Sequence, residues 1–226
     1  MEPPCDLLVL AAFPPELAPL RPALGEGLRR AFGGHDVVAK AVGIGLAMAS
    51  VGAALRLQAL RPRAVVLVGT CGAYAGALAL GKVAVARRVV LAEPAVARGE
   101  AAFPDPMSSE LLADAALGAG MAARAKGTAK LVDVATTLAV TTSDPLAAVL
   151  AASTQCQAEH LEAYGVAAAC AQEGIPFVAA LGVANDVGSK GREQWRANHR
   201  MASEAAIGAV LEWMGDGAPG LARPSG

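Results

Sequence analysis

The chain of 226 residues has little charge, few histidines and few cysteines. Charged residues make up 17% of it and the net charge is −1, which argues against a nucleic-acid partner because such proteins present a basic surface. Three scattered histidines argue against a metal site built from histidine. The four cysteines show no paired spacing, so we expect reduced thiols and a cytoplasmic location. They are Cys5, Cys71, Cys156 and Cys170.

Long apolar runs are also missing, although 54% of the residues are hydrophobic. A membrane-spanning helix needs about 18 or more consecutive apolar residues, and the longest candidate, 43–55, is bounded by Lys40 and Arg56. The start of the chain is acidic and its first apolar run covers only 7–13, so we expect no signal peptide. The length fits one domain with a sizeable core.

Apolar runs alternate with alanine-rich helical segments along the chain, which predicts an α/β fold with helices layered on a sheet. The predicted strands are 6–12, 36–42, 64–68, 83–91, 131–141 and 176–184, and the predicted helices are 44–60, 108–117, 161–173 and 191–214. We therefore expect one domain over 1–214. The Gly- and Pro-rich residues 215–226 predict a flexible tail.

Two glycine-containing stretches suggest binding loops. Val42-Gly-Ile-Gly45 does not continue as a dinucleotide-binding motif, because Met48 stands at the third glycine position and Arg63 where an acid is needed. It predicts a turn that enters a helix. The second stretch, Gly69-Thr-Cys-Gly72, follows a buried strand and predicts a tight turn that presents backbone amides and the Thr70 hydroxyl to a ligand.

Cys71, in this second stretch, has two interpretations. It is either a nucleophile or a partly buried thiol, and no motif brings a histidine to it, which favours the thiol.

Acidic residues stand at the predicted starts of helices. Glu16 follows Phe13-Pro-Pro15, and Glu159 and Glu162 lie where a short strand meets an apolar helix. Taken singly, each is explained as a carboxylate that stabilises a helix N-terminus. The last predicted strand ends at Asn185 and Asp186, and ligands of open α/β sheets collect where strands end.

The order of these features resembles the nucleoside phosphorylase/nucleosidase superfamily, over residues 6–214 and most weakly over 92–130. Two branches are similar: the 5'-methylthioadenosine/S-adenosylhomocysteine nucleosidases and the futalosine hydrolases of menaquinone biosynthesis. The resemblance implies a three-layer α/β/α sandwich around a central mixed sheet. It also implies a homodimer in which the partner subunit helps to cover the pocket.

The resemblance assigns roles to individual residues. Glu16 corresponds to the acid that activates water, and Thr70, Cys71 and Gly72 correspond to the segment that lies along ribose and base. Ala158-Glu-His-Leu-Glu162 is similar to the signature Val-Glu-x-Met-Glu. This implies that Glu162 binds the ribose hydroxyls, that Leu161 replaces a methionine against the sugar, and that His160 contacts the substrate.

Missing arginines favour hydrolysis over phosphorolysis. Related phosphorylases hold phosphate with arginines, whose planar fork matches phosphate oxygens, and with a glycine-rich first loop. One such arginine corresponds to Leu67 here, and residues 11–16 contain neither Gly nor Arg. Water is therefore the expected nucleophile.

The resemblance places the base-recognising residue twenty-three positions after Glu162, at Asn185. The 5'-methylthioadenosine enzymes have aspartate there, whereas futalosine hydrolases resemble the Asn185-Asp-Val-Gly-Ser-Lys190 and Trp195 pattern of this chain. An amide can donate to O6 of a 6-oxopurine and accept from a protonated N7, whereas a carboxylate opposes O6. Asp186 is then a turn or capping residue. A shift of one residue reverses the two roles, so Asp186 stays a candidate for substrate binding.

The sequence thus predicts a purine nucleosidase that hydrolyses a 5'-modified nucleoside, futalosine, and releases hypoxanthine. The alternative is a 5'-methylthioadenosine/S-adenosylhomocysteine nucleosidase. More remote are a phosphate-dependent phosphorylase and a non-catalytic nucleoside-binding protein. The resemblance implies no metal or organic cofactor. The expected partners are a small-molecule purine nucleoside and a second copy of the chain, with neither nucleic acid nor membrane.

Overall fold

The computed structural model describes residues 2–125 and 127–222. Within them lie nine strands: β1 (Leu7–Ala11), β2 (Arg29–Phe32), β3 (His35–Ala41), β4 (Ala64–Ala73), β5 (Val83–Leu91), β6 (Glu110–Leu112), β7 (Ala129–Thr136), β8 (Ala158–His160) and β9 (Phe177–Asp186). The helices are a 3-10 helix (Pro14–Leu20), α1 (Arg21–Leu24), α2 (Leu46–Leu60), α3 (Pro94–Ala97), α4 (Ala115–Arg124), α5 (Asp144–Thr154), α6 (Ala163–Gln172) and α7 (Gly191–Gly215).

The nine strands form one mixed sheet. On one side β2, β3, β1 and β4 follow one another, with β1 parallel to both β3 and β4. β9 runs parallel to β4 and antiparallel to β5, and β7 is parallel to β5 and β8. β8 pairs back to the end of β4, so β4, β9, β5, β7 and β8 form a closed circuit of paired strands.

Helices cover both faces of this sheet because successive side chains of a buried strand point to opposite faces. Leu8 and Leu10 of β1 pack in the core beneath α2 and α6. Leu7 and Val9 pack in the second core, beneath α4, α7 and the 3-10 helix. This arrangement confirms the predicted three-layer α/β/α sandwich with a central mixed sheet.

The segment Gly69–Gly72 corrects one prediction. It was predicted to be a tight turn after a strand ending at Val68, but β4 continues through it to Ala73. On one side Gly69 and Thr70 pair with Leu181 and Gly182 of β9, and on the other side Gly72 pairs with Glu159 of β8. The glycines here serve close packing instead of a turn.

The region 108–154 differs from the predictions in three places. The helix predicted over 108–117 is wrong at both ends, because residues 110–112 form the edge strand β6 on β5 and α4 covers Ala115–Arg124. The Asp114 side chain caps α4 by accepting hydrogen bonds from the amides of Ala116 and Leu117. The strand predicted over 131–141 ends at Thr136, and 137–143 form a loop. Helix α5 was not predicted. Outside this region, the edge strand β2 was not predicted either.

The predicted tail begins where α7 ends, and part of it contacts the domain. Trp213 Nε1 donates a hydrogen bond of 2.9 Å to the Pro219 carbonyl, and Ala218 is buried. Residues 223–226 lie outside the described residues, and the flexibility of the tail stays a prediction.

Candidate active site

A cavity of about 520 Å³ opens at the ends of several strands. Its walls come from the segment after β1, the ends of β4, β8 and β9, the loop after β7 and the first turns of α7. Eight of the nine residues predicted to form a site line it together: Glu16, Thr70, Cys71, Gly72, His160, Leu161, Glu162 and Asn185. The ninth, Asp186, does not.

Glu16 lies in the 3-10 helix directly after β1, with 8% of the residue exposed. Its Oε2 accepts a hydrogen bond of 3.1 Å from the Ala12 amide, while Oε1 lies over Gly69. Burial raises the pKa of Glu16 to about 7, and the negative charge of Glu162 adds to this shift. A carboxyl group with a pKa near neutral pH is suited to act as a general base.

Two glycines of β4 let site residues approach the strand closely. An ideal Cβ on Gly69 lies 3.1 Å from Glu16 Oε1 and 3.5 Å from His160 Nε2. An ideal Cβ on Gly72 lies 2.9 Å from Asn185 Nδ2. Any side chain at either position would press on a functional group of the cavity, which explains why the strand carries glycine there.

Glu162 stands at the N-cap position of α6, but its side chain caps nothing in that helix. Its Oε1 instead accepts a hydrogen bond of 2.7 Å from the Gly45 amide at the start of α2. The carboxylate is therefore held at the N-terminus of a second helix. The capping explanation for Glu162 does not describe this geometry, and the remaining lone pairs are available to a ligand in the cavity.

His160 has a defined tautomer. Its Nδ1 accepts hydrogen bonds from the amides of Glu162 (3.2 Å) and Ala163 (3.1 Å) at the start of α6. A nitrogen that accepts cannot carry the proton, so the proton is on Nε2. Burial lowers the pKa of His160, and the negative charge of Glu162 opposes this shift. Because Nδ1 accepts from two amides, the 3.3 Å approach of Glu162 Oε2 to Nδ1 is not an ion pair.

Glu159 has a structural task that the sequence did not reveal. Its carboxylate accepts hydrogen bonds from the amide (3.0 Å) and hydroxyl (2.6 Å) of Thr141 and from the Tyr74 hydroxyl (3.3 Å). Burial raises the pKa of Glu159, and these hydrogen bonds oppose the shift. Glu159 thus fastens the loop 137–143, whose residues 140–142 form one wall of the cavity. No sequence signal links Glu159 to Thr141.

Asn185 and Asp186 point to opposite sides of β9, as successive residues of a strand do. The Asn185 Nδ2 donates a hydrogen bond of 2.8 Å to the Asp186 carbonyl, and Oδ1 lies on the other side of the amide. The Asp186 carboxylate accepts a hydrogen bond of 3.0 Å from Gln194 Nε2 and is exposed outside the cavity. The Asn185 amide lines the cavity, and the Asp186 carboxylate does not.

Thr70 and Cys71 both line the cavity but differ in chemistry. The Thr70 hydroxyl accepts a hydrogen bond of 3.0 Å from Trp195 Nε1, so its own proton is free to be donated. Burial raises the pKa of Cys71 to about 12, and its thiol faces the Leu181 carbonyl at 3.8 Å. This describes a buried thiol without the thiolate character that a nucleophile needs.

The mouth of the cavity is apolar and carries one arginine. Ile44 and Val140 line it and are 63% and 55% exposed. Arg192, in the first turn of α7, is the arginine among the lining residues.

The described residues contain no group of three or more His, Cys, Asp or Glu side chains placed to hold a metal ion. In the same part of the chain, no helix has the length and apolarity to cross a membrane.

Solved structures with similar folds include nucleosidases. A 5'-methylthioadenosine/S-adenosylhomocysteine nucleosidase from Colwellia psychrerythraea in complex with adenine has a TM-score of 0.82 at 19% identity, covering 94% of this chain and 96% of that one. The same enzyme from Neisseria meningitidis with methylthio-immucillin-A has a TM-score of 0.82 at 19% identity, covering 93% and 98%. The futalosine hydrolase of Helicobacter pylori has a TM-score of 0.81 at 15% identity, covering 92% and 96%.

Sequence comparison places the chain in a family. No curated protein sequence matches it. A family model, the phosphorylase superfamily, matches residues 6–213 and so spans nearly the whole chain. The protein belongs to the phosphorylase superfamily.

Proposed function

We propose that this protein is a purine nucleosidase that hydrolyses the N-ribosidic bond. The observation that carries the proposal is the convergence of two buried carboxylates, Glu16 and Glu162, with the Asn185 amide in one cavity. The similar solved structures include enzymes that act on, or bind analogues of, purine nucleosides. Retention of both carboxylates argues against a role limited to binding a nucleoside.

Each group has a task in the proposed reaction. The glycosidic bond breaks through an oxocarbenium-like transition state, as in sugar hydrolysis generally. Glu16, with a pKa of about 7, accepts a proton from the attacking water. Glu162, held by the Gly45 amide, binds the ribose hydroxyls and stabilises positive charge on the sugar. Asn185 binds the leaving purine.

Water, not phosphate, is the proposed nucleophile. A phosphate dianion needs cationic partners, and arginine forks suit it best. Leu67 is fully buried in the sheet, and the segment after β1 contributes the acidic Glu16 to the cavity. Arg192, at the cavity mouth, is too isolated to form the arginine set of a phosphorylase.

The proposed substrate is a 5'-modified 6-oxopurine nucleoside of the futalosine type, with hypoxanthine as the product and a place in menaquinone biosynthesis. The hydrogen bond from Asn185 Nδ2 to the Asp186 carbonyl supports this choice. It orients the amide so that the second Nδ2 proton can be donated to O6 and Oδ1 can accept from a protonated N7. A 5'-methylthioadenosine/S-adenosylhomocysteine nucleosidase is the rival, supported by the fold of the similar structures.

We also propose that the active unit is a homodimer in the cytoplasm. Ile44, Met48, Val51 and Leu55, here called the apolar stripe, are all about 60% exposed and follow one another at helical spacing at and along α2. An exposed apolar surface of this kind marks an interaction site. Because Ile44 also lines the cavity, a second subunit seated on the stripe would reach the cavity mouth.

The test is base release from futalosine, inosine and 5'-methylthioadenosine, each with and without phosphate. The proposal expects phosphate-independent release, with the 6-oxopurine nucleosides preferred and futalosine the best of the three. Preference for 5'-methylthioadenosine would favour the rival. A requirement for phosphate would exclude both hydrolases.

A further inference from the structure

The second ring nitrogen of His160, Nε2, has a role if the proposed hydrolysis takes place in this cavity. Because Nδ1 accepts two backbone hydrogen bonds, Nε2 carries the proton of the neutral ring. The side chain is 4% exposed and lines the cavity. Within the described residues this N–H donates to no acceptor. The Nε2 atom is not fully enclosed by protein, so an acceptor can reach it from the cavity.

Glu16 and His160 border the same small volume beside Gly69. The position of an ideal Cβ on residue 69 lies 3.1 Å from Glu16 Oε1 and 3.5 Å from His160 Nε2. Glycine leaves this volume without a side chain. The Glu16 carboxylate, which can accept a proton, and the His160 Nε2–H, which can donate a hydrogen bond, therefore border the space that glycine leaves open at position 69.

We propose that His160 Nε2–H donates a hydrogen bond to the attacking water while Glu16 accepts one from it. The His160 bond fixes the position of the water, and the Glu16 bond aims a lone pair of its oxygen at C1' of the ribose. Because the backbone amides at the start of α6 already hold the ring, no further conformational entropy is lost in orienting it when the substrate binds.

The C1'–N9 bond breaks and its electron pair leaves with the purine, which takes up a proton at N7 from solvent. The water oxygen forms the new C1'–O bond, keeps one proton and passes the other to Glu16. Glu16 returns this proton to solvent. His160 donates throughout and is neutral before and after.

Two variants separate the donor from the rest of the ring. His160→Asn places an amide oxygen where Nδ1 is, so it keeps the hydrogen bonds at the start of α6 and removes the Nε2 donor. His160→Gln places an amide nitrogen where Nε2 is, so it keeps the donor and removes the Nδ1 acceptor. His35→Asn, on β3 and away from the cavity, is the matched control.

The measurement is kcat, KM and melting temperature for each variant in phosphate-free buffer. We expect H160N to lower kcat by about tenfold to a hundredfold, the scale of a lost transition-state hydrogen bond, with KM and melting temperature close to those of the wild type. H160Q should melt at a lower temperature yet recover much of the kcat that H160N loses. H35N should match the wild type.

Three results would overturn the inference. Near-wild-type kcat in H160N means that the donor is not used. A raised KM with unchanged kcat means that His160 binds the ribose instead. Activity that follows melting temperature in both variants means a structural role. If the wild type itself requires phosphate, the proposed hydrolysis fails together with the inference, whereas the first three results leave the hydrolysis standing.

Discussion

Glu16 carries its carboxyl group in surroundings that disfavour the charge. Its pKa is raised from 4.5 to about 7 by burial and by Glu162. A general base works only when deprotonated, so we expect kcat/KM to fall about tenfold per pH unit below 7 and to level off above it. Glu16→Gln should lower kcat by at least about a hundredfold. A pH–rate profile without this inflection would show that Glu16 is not the general base.

The same group makes the folded state sensitive to pH. The folded chain binds this proton more tightly than the unfolded chain does. The contribution of Glu16 to the free energy of unfolding is therefore fully present below pH 4.5 and is lost as the pH rises through about 7. Glu16→Gln removes this loss, so it should raise the free energy of unfolding at pH 8 by about 3 kcal/mol relative to the wild type, and by much less at pH 4.5. Denaturant unfolding at both values checks this, and an equal effect at both would contradict it.

Asn185 should set the purine preference. In Asn185→Asp, a carboxylate oxygen replaces Nδ2 against the Asp186 carbonyl and also opposes O6, so kcat/KM for 6-oxopurine nucleosides should fall by about a hundredfold or more. Activity on 6-aminopurine nucleosides should fall less or increase. Asp186→Asn changes an exposed side chain bound to Gln194 and should leave the preference unchanged. If the purine preference changes with substitution at position 186 instead, Asp186 and not Asn185 recognises the base.

Among the elements, β4 lets the site residues approach one another because it has glycine at positions 69 and 72. Gly69→Ala adds a methyl group 3.1 Å from Glu16 Oε1 and 3.5 Å from His160 Nε2, so we expect kcat to fall by about tenfold or more while the fold persists. Gly208→Ala in α7 is the control, because nothing lies within 4 Å of its added methyl, and it should stabilise the protein slightly without changing kcat. Equal activity in both variants would contradict the account.

The elements that the sequence predicted well are those with strong apolar patterns. β1 and β9 are almost completely buried on both faces, and α2, α6 and α7 are alanine-rich or amphipathic, so local pattern and tertiary burial agree. β2 and β6 are short edge strands with exposed residues, and their pairing depends on neighbours that are distant in sequence. The loop 137–143 is held by Glu159, a contact that no local pattern encodes.

The site residues were predictable where local sequence patterns mark the ends of strands. Glu16 and Glu162 follow strands, and Asn185 lies at the end of β9, positions that the sequence reveals; all three line one cavity. The side to which Asp186 points depends on the register of β9. The Gly45 contact to Glu162 and the shared volume at Gly69 depend on how α2 and β4 pack, so they required the structure.

At the scale of the whole molecule, the apolar stripe predicts how two subunits meet. Val51→Glu places a charge in the middle of the stripe at a position that is 59% exposed, so it should leave the monomer folded but prevent dimer formation and reduce kcat/KM. Leu80→Glu, at an apolar residue that is 43% exposed outside α2, is the control and should do neither. Sedimentation and activity at matched concentrations test this. A dimer that persists in V51E would move the interface elsewhere.

Hydrolysis of the N-ribosidic bond is the central claim, and the sugar product tests it most directly. Purified protein is incubated with a 6-oxopurine nucleoside, in buffer with and without phosphate, and the base and the sugar are both identified. The account predicts free base and a free reducing sugar at the same rate in both buffers. A sugar 1-phosphate, or turnover that stops without phosphate, would contradict it.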